Sequence, residues 1–275
     1  MATKKYSNSD VKNQKWIKEG RGSGRGKDYL PWLTVRDLPS SGRSHRIFGH
    51  KSQRTHHLFS DLELAVFFYL EFEEDTVEIR EQFPLRLEET RALAEKSGIA
   101  HPSYQGALQI MSSDFLVNTN SVAIPKFALQ AKYSDALQDQ RTIEKLEIER
   151  RYWQAKGIPW MIITEQEIPR VMFENIAWLY PALSEDITLL DISERVDFYS
   201  YQLSRKADLN IIEIAKSLDV AYELEPGQSL LEIRGLLARR CFLFDLLIPS
   251  RKLKPSDLKI GDIKGIMENL RVSNQ

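Results

Sequence analysis

At 275 residues the chain is longer than one typical compact domain and suits two, and its 42% apolar content is enough to build real cores. No apolar run reaches membrane-span length, the start Met1-Ala2-Thr3-Lys4-Lys5 has no signal-peptide core, and a sole cysteine, Cys241, excludes a disulfide framework and a cysteine-based zinc site, so a cytoplasmic protein is expected. The net charge of −1 hides an asymmetry: residues 1–60 carry thirteen Lys and Arg against four Asp and Glu, whereas residues 61–100 carry four against eleven.

A basic arm beside an acidic segment can attract a polyanion while gathering carboxylates around a divalent metal; a solvated charged surface is the plainer reading. The first twenty residues are polar. Gly20–Lys27 (GRGSGRGK) has no strand before it and no Ser or Thr after Lys27, so it reads as a flexible basic loop and not as a P-loop. Arg43 and Arg46 suit DNA-backbone contact or plain solvation. His45, His56 and His57 lack a spaced partner of zinc-site type.

Ser60–Glu74 reads as a buried helix, with apolar residues on nearly every face. Ser60-x-x-Glu63 opens it, either as a capping box or as a way to place a carboxylate in the interior. Val77–Leu85 reads as a strand ended by Pro84, and residues 86–107 as a polar, partly helical insertion. Met111–Asn118 and Ile124–Tyr133 read as two strands around a turn. A helix from about Leu137 to Lys156 stops at Gly157 and Pro159, and Ile158–Thr164 suits a buried strand. Glu144, Glu147 and Glu149 read as surface acids of that helix, with Leu146 and Trp153 facing the core.

If the hairpin turn centres near Val122, Asp114 lies opposite Gln130, and Lys132 projects from the face of Gln130. An acid, an amide oxygen and an ammonium then share one patch, a composition suited to Mg²⁺ and to phosphodiester cleavage. Beyond Trp178-Leu179-Tyr180-Pro181 the chain is mainly helical. Ile211–Leu218 and Leu230–Arg240 around Pro226-Gly227 resemble a helix-turn-helix pair, with Phe242–Ile248 and a segment after Pro255 as a wing; plain helical packing is the other reading. Arg234, Arg239, Arg240, Arg251 and Lys252 form a basic stretch for a protein partner or DNA.

Several long stretches resemble the TnsA family, endonuclease subunits of heteromeric cut-and-paste transposases. They are Gly20–Lys27 with Asp28–Val35, Ser40–Arg46, His56-His57-Leu58, Ser60–Val66, Arg80–Leu85, Ser113–Val117, and Leu146–Trp153 with Ile158-Pro159-Trp160. The resemblance implies an α/β, restriction-endonuclease-like mixed sheet of PD-(D/E)xK type flanked by helices, then a mainly helical, winged-helix-like domain. The implied boundaries are 1–59 for a basic arm belonging to the nuclease domain, 60–168 for the catalytic core and 169–275 for a winged-helix-like interaction domain.

It also implies Glu63, Asp114 and Lys132 as the catalytic set. Mg²⁺, replaceable by Mn²⁺, is then held by Glu63, Asp114, Gln130 and the carbonyl of Ala131. Relative to the broad nuclease pattern, Ser113 stands for a proline and Gln130 for the second acid. The implied partners are double-stranded DNA at transposon ends, a DDE-type transposase that cuts and joins the 3′ ends, and a AAA+ regulator. The rival reading is a non-catalytic adaptor that binds DNA ends and bridges transposase to regulator.

Overall fold

The apolar segment after Ser60 folds as a helix because its first turn is closed: the Ser60 hydroxyl accepts the Glu63 N–H at 3.0 Å. The computed structural model describes residues 8–37, 43–104, 106–185 and 188–273. The readings on Met1–Lys5 and on Ser40-Ser41-Gly42 lie outside those residues. The chain divides into two compact units, Met1–Ile168 and Pro169–Gln275.

The first unit contains α1 (Asn8–Lys18), the hairpin β1 (His45–Gly49) and β2 (Arg54–Leu58), α2 (Asp61–Phe72) and β3 (Thr76–Pro84). The polar insertion then forms α3 (Leu87–Lys96) and a ribbon of β4 (Ser103–Tyr104) and β5 (Ala107–Leu108). After it come β6 (Ser112–Thr119), β7 (Lys126–Ala131), α4 (Gln140–Ala155) and β8 (Trp160–Ile163). The main sheet has the order β3-β6-β7-β8, with β8 parallel to β7 and the other neighbours antiparallel. The hairpin register is the one expected from a turn near Val122: Phe115 pairs with Leu129 and Leu116 with Ala128.

Side chains alternate across this sheet, so its two faces carry different cores. On one face Leu116 and Ala128 pack with Leu85, Tyr152 and Trp153, joining β6 and β7 to α4. On the other, Glu81 sits beside Phe115 and bonds His56 of β2, whose ring lies 4.6 Å from that of Phe67 in α2. Helix α4 ends in a Schellman motif. Gly157, at φ +65°, donates to Gln154 O at 3.0 Å, and Ile158 donates to Trp153 O at 3.1 Å.

The amino-terminal segment departs from the reading of a polar leader and a free loop. It forms α1, whose Trp16 is buried edge-on against Trp32. Arg21 is tied to Asp37 at 2.6 Å and to the Trp32 carbonyl at 3.2 Å. Gly22 lies at φ +76°, and a Cβ there would come within 2.1 Å of Pro84, so this glycine admits the loop against the end of β3. Among Arg and Lys of the loop, Arg25 and Lys27 remain exposed.

The second unit holds α5 (Arg170–Leu179), α6 (Leu189–Ser204), α7 (Ile211–Ala221), α8 (Gln228–Ala238), β9 (Phe242–Leu243), β10 (Lys259–Ile260) and α9 (Ile263–Ser273). Its order is mainly helical, with β9 and β10 pairing antiparallel after the α7–α8 pair. Asn210 and Glu213 close the start of α7 as a capping box. Two members of the expected basic stretch are used internally. Arg234 donates to Trp178 O at 2.6 Å and Arg239 to Ala182 O at 3.0 Å, whereas Arg251 and Lys252 are exposed.

Candidate active site

The end of the main sheet where β6 begins and β7 finishes brings the expected residues together. Asp114 lies across from Gln130, whose Oε1 accepts the Asp114 backbone N–H at 3.0 Å. Asp114 Oδ2 in turn accepts the Ala131 N–H at 2.9 Å and faces Lys132 Nζ at 3.4 Å. Lys132 Nζ also donates to the Ala131 carbonyl at 3.0 Å. Asp114 and Gln130 are buried, and Lys132 is partly exposed.

Glu63 is the buried carboxylate of its second reading, while the reciprocal capping box of its first is not closed, because its side chain bonds the N–H of Phe59 and not that of Ser60. It accepts the Phe59 N–H at 3.0 Å, and it is 6% exposed in the field of Asp114. Burial, and then the Asp114 charge, push its carboxyl up to about 8 against the pull of the Phe59 N–H and Lys132. For Lys132 burial opposes the charged form, but Asp114, Glu63 and Glu149 outweigh it and raise the ammonium above its ordinary value.

Glu149 is the residue that sequence reasoning misplaced. It is not a surface acid but 2% exposed, on the α4 face that packs on the sheet. Its Oε1 accepts Ser113 Oγ at 2.6 Å and Trp160 Nε1 at 2.9 Å, and Trp153 Nε1 donates to the same Ser113 hydroxyl at 2.8 Å. Burial prevails over these two donors and pushes Glu149 up to about 8. The serine standing where the broad pattern has proline therefore has a function here: its hydroxyl joins α4 to the strand that carries Asp114. The spacing Leu146, Glu149, Trp153 places position 149 on the apolar stripe, and that was the available signal.

Gln82 is a second residue the sequence did not single out as part of the site. It is 4% exposed, and its Nε2 donates to Asp114 Oδ1 at 3.4 Å. A cleft of about 340 Å³ opens beside the site, lined by Ser112, Gln130, Lys132, Lys145 and Glu149.

The histidines are placed apart. His45 pairs with Asp61, His56 with Glu81, and His57 Nδ1 accepts the Val35 N–H at 3.5 Å. Among the described residues no three His, Cys, Asp or Glu side chains group as metal ligands. The set at the sheet end is instead two carboxylates, an amide and a carbonyl. All are hard oxygen donors, which is the composition that a divalent cation such as Mg²⁺ fits. Gln130 Oε1 and Ala131 O each already accept one hydrogen bond, leaving one lone pair apiece.

Two family models match, "TnsA-like endonuclease N terminal" over residues 73–165 and "TnsA endonuclease C terminal" over residues 167–246. The chain is also 49% identical over 274 residues to "Transposon Tn7 transposition protein TnsA" of Escherichia coli, covering 100% of both chains. It belongs to the TnsA endonuclease family. Within this TnsA-family chain, Asp114, Gln130 and Lys132 fall inside the first matched region. Glu63 precedes that region and is covered by the full-length similarity.

The mixed sheet flanked by helices and the mainly helical second unit agree with the fold class expected from the TnsA resemblance. No helix among the described residues is long and apolar enough to cross a membrane.

Proposed function

We propose that this chain is the metal-dependent endonuclease that hydrolyses the 5′ ends of a transposable element, beside a DDE-type transposase that cuts and joins the 3′ ends. The convergence of Glu63, Asp114, Gln130 and Lys132 at one sheet end carries this reading. Mg²⁺, or Mn²⁺ in its place, would be held by Glu63, Asp114, Gln130 Oε1 and the Ala131 carbonyl. When bound, it makes a coordinated water more acidic and neutralises charge on the phosphate oxygens.

The remaining work falls to the chain. The Ala131 N–H and Lys132 Nζ hold one Asp114 oxygen, which leaves the carboxylate little freedom to rotate. Lys132, partly exposed, presents its ammonium to the scissile phosphate or to the attacking water. Lys145, on the rim of the cleft, and the exposed Arg43 and Arg46 supply phosphate contacts along the duplex. Gln130 is neutral where a second carboxylate would bind metal more tightly, so full activity depends on assembly with the partners.

We assign residues 1–59 to a basic N-terminal part of the nuclease domain, 60–168 to its catalytic core and 169–275 to a winged-helix-like interaction domain. The order α7, α8, β9–β10 supports that last assignment, and a AAA+ regulator is its partner. The protein works in the cytoplasm, on double-stranded transposon ends. Strand-resolved excision with the partner transposase tests the reading. Asp114→Ala removes the 5′ nicks and leaves 3′ cutting intact; persistence of the 5′ nicks in that variant would show the site to be wrong.

A further inference from the structure

Strands β3 and β6 keep one register on either side of Gln82, which lies across from Asp114. The pairing runs from Glu81–Phe115 to Phe83–Ser113, with Gln82 and Asp114 between them. At that point Gln82 adopts φ +47°, a left-handed conformation that a non-glycine residue rarely takes inside a strand. Its carbonyl accepts the Trp32 N–H at 3.2 Å, which ties it to the amino-terminal segment. Tyr29 OH bonds the adjacent Glu81 carbonyl at 3.1 Å, so the same segment grips two successive residues of β3.

The side chain shows what the irregular backbone achieves. Gln82 Nε2 donates to Asp114 Oδ1 at 3.4 Å, and its Oε1 accepts Ser112 Oγ at 3.0 Å. The acceptor-only Asp114 carboxylate selects the Nε2 end of the amide, and the Ser112 hydroxyl anchors the other end. The other carboxylate oxygen, Oδ2, is already held by Ala131 N–H and Lys132 Nζ. With donors on both oxygens, the plane of the carboxylate is set. Backbone irregularity of this kind persists where surrounding structure over-determines it, and such positions cluster at functional sites.

We propose that Gln82 is a positioning residue of the active site, orienting the Asp114 carboxylate from a left-handed backbone that Trp32 and Tyr29 hold in place. This rests on the nuclease reading above. Gln82 is buried and bonds Asp114, so its loss should appear first in the metal requirement. Outer partners of metal ligands characteristically change metal affinity or activity by about 10–100-fold.

The test uses the full-length protein with its partner transposase and a transposon-end duplex, measuring 5′-strand cleavage against Mg²⁺ concentration. It also measures the shift in melting temperature produced by Mn²⁺ alone. Gln82→Met keeps the side-chain volume and removes the amide; Ser112→Ala removes only the hydroxyl that anchors it. The expected result is a roughly tenfold rise in half-saturating Mg²⁺ and a smaller Mn²⁺ shift for Gln82→Met. Ser112→Ala should give a lesser change in the same direction, and it decides alone if Gln82→Met does not fold.

Wild-type half-saturation and an unchanged Mn²⁺ shift in the folded variants would overturn the proposal. So would a rate lowered equally at every Mg²⁺ concentration, which marks a merely structural role. Asp114→Ala run in parallel separates the two readings. If it abolishes 5′ cleavage while the Gln82 and Ser112 variants behave as wild type, the nuclease stands and the positioning role falls. If it cleaves, the nuclease site itself is wrong.

Discussion

Lys132 is charged because three neighbouring acids outweigh its burial, and its ammonium is shared between Asp114 Oδ2 and the Ala131 carbonyl. On the proposed reading, removing it takes away a preorganised positive charge where phosphate charge develops. Lys132→Ala should therefore lower 5′ cleavage by on the order of 100-fold or more in single-turnover assays. Lys132→Arg should not restore it, because a planar guanidinium does not place one compact charge between two oxygens. Glu149 carries a pH signature. Its folded carboxyl titrates at about 8 against an ordinary 4.5, so its contribution to stability is complete below pH 4.5 and is lost as pH rises through 8. Glu149→Gln keeps the neutral form at every pH, so its melting temperature should gain on that of wild type between pH 5 and pH 8. A difference that stays flat over that range would show that burial does not hold the proton on Glu149.

Among the elements, the β6–β7 hairpin was fully legible, because strand alternation and one turn position fix every cross-strand pair and so place Asp114 opposite Gln130. The end of α4 was legible for a similar local reason: Gly157 followed by Pro159 is a stop signal, realised as φ +65° and two terminal hydrogen bonds. Gly157→Ala forces a Cβ into that conformation and should cost about 1 kcal/mol or more, measured by urea unfolding, with 5′ cleavage unaffected. The role of α4 was less legible. Leu146 and Trp153 marked its core face, yet Glu149 on the same stripe was read by its charge and not by its position. Glu149 is accommodated in the interior because Ser113 and Trp160 supply donors to its carboxyl, and neither is adjacent to it in sequence.

Over the whole molecule, the charge asymmetry does not act as a simple basic arm facing an acidic one. Arg54, from the basic stretch, is 9% exposed and meets Glu81 of the acidic stretch through both terminal nitrogens, with His56 on the same carboxylate at 2.8 Å. These contacts overcome complete burial and hold Glu81 well below the usual carboxylate range. Arg54→Ala leaves that buried charge with His56 but without its bidentate partner and should destabilise by about 3 kcal/mol, seen in urea unfolding. By contrast, Arg46→Glu on the exposed side should weaken DNA-end binding and flatten its salt dependence without altering stability. If the metal set is right, saturating Mn²⁺ should raise the melting temperature of the wild type and not that of Asp114→Ala, since only a site present in the folded chain is stabilised by ligand.

By itself the sequence determined what depends on neighbours along the chain: the helix capped at Ser60, the paired strands with Asp114 across from Gln130, the stop at Gly157, and the long TnsA-like stretches. Tertiary structure decided what depends on distant segments meeting. It brought Glu63 from α2 into the field of Asp114, placed Glu149 behind Ser113, and held Gln82 in a left-handed conformation with its amide on the Asp114 carboxylate. The reason is physical. Turn chemistry and side-chain periodicity act over a few residues, whereas burial and the field of a neighbouring charge exist only once separate elements have packed.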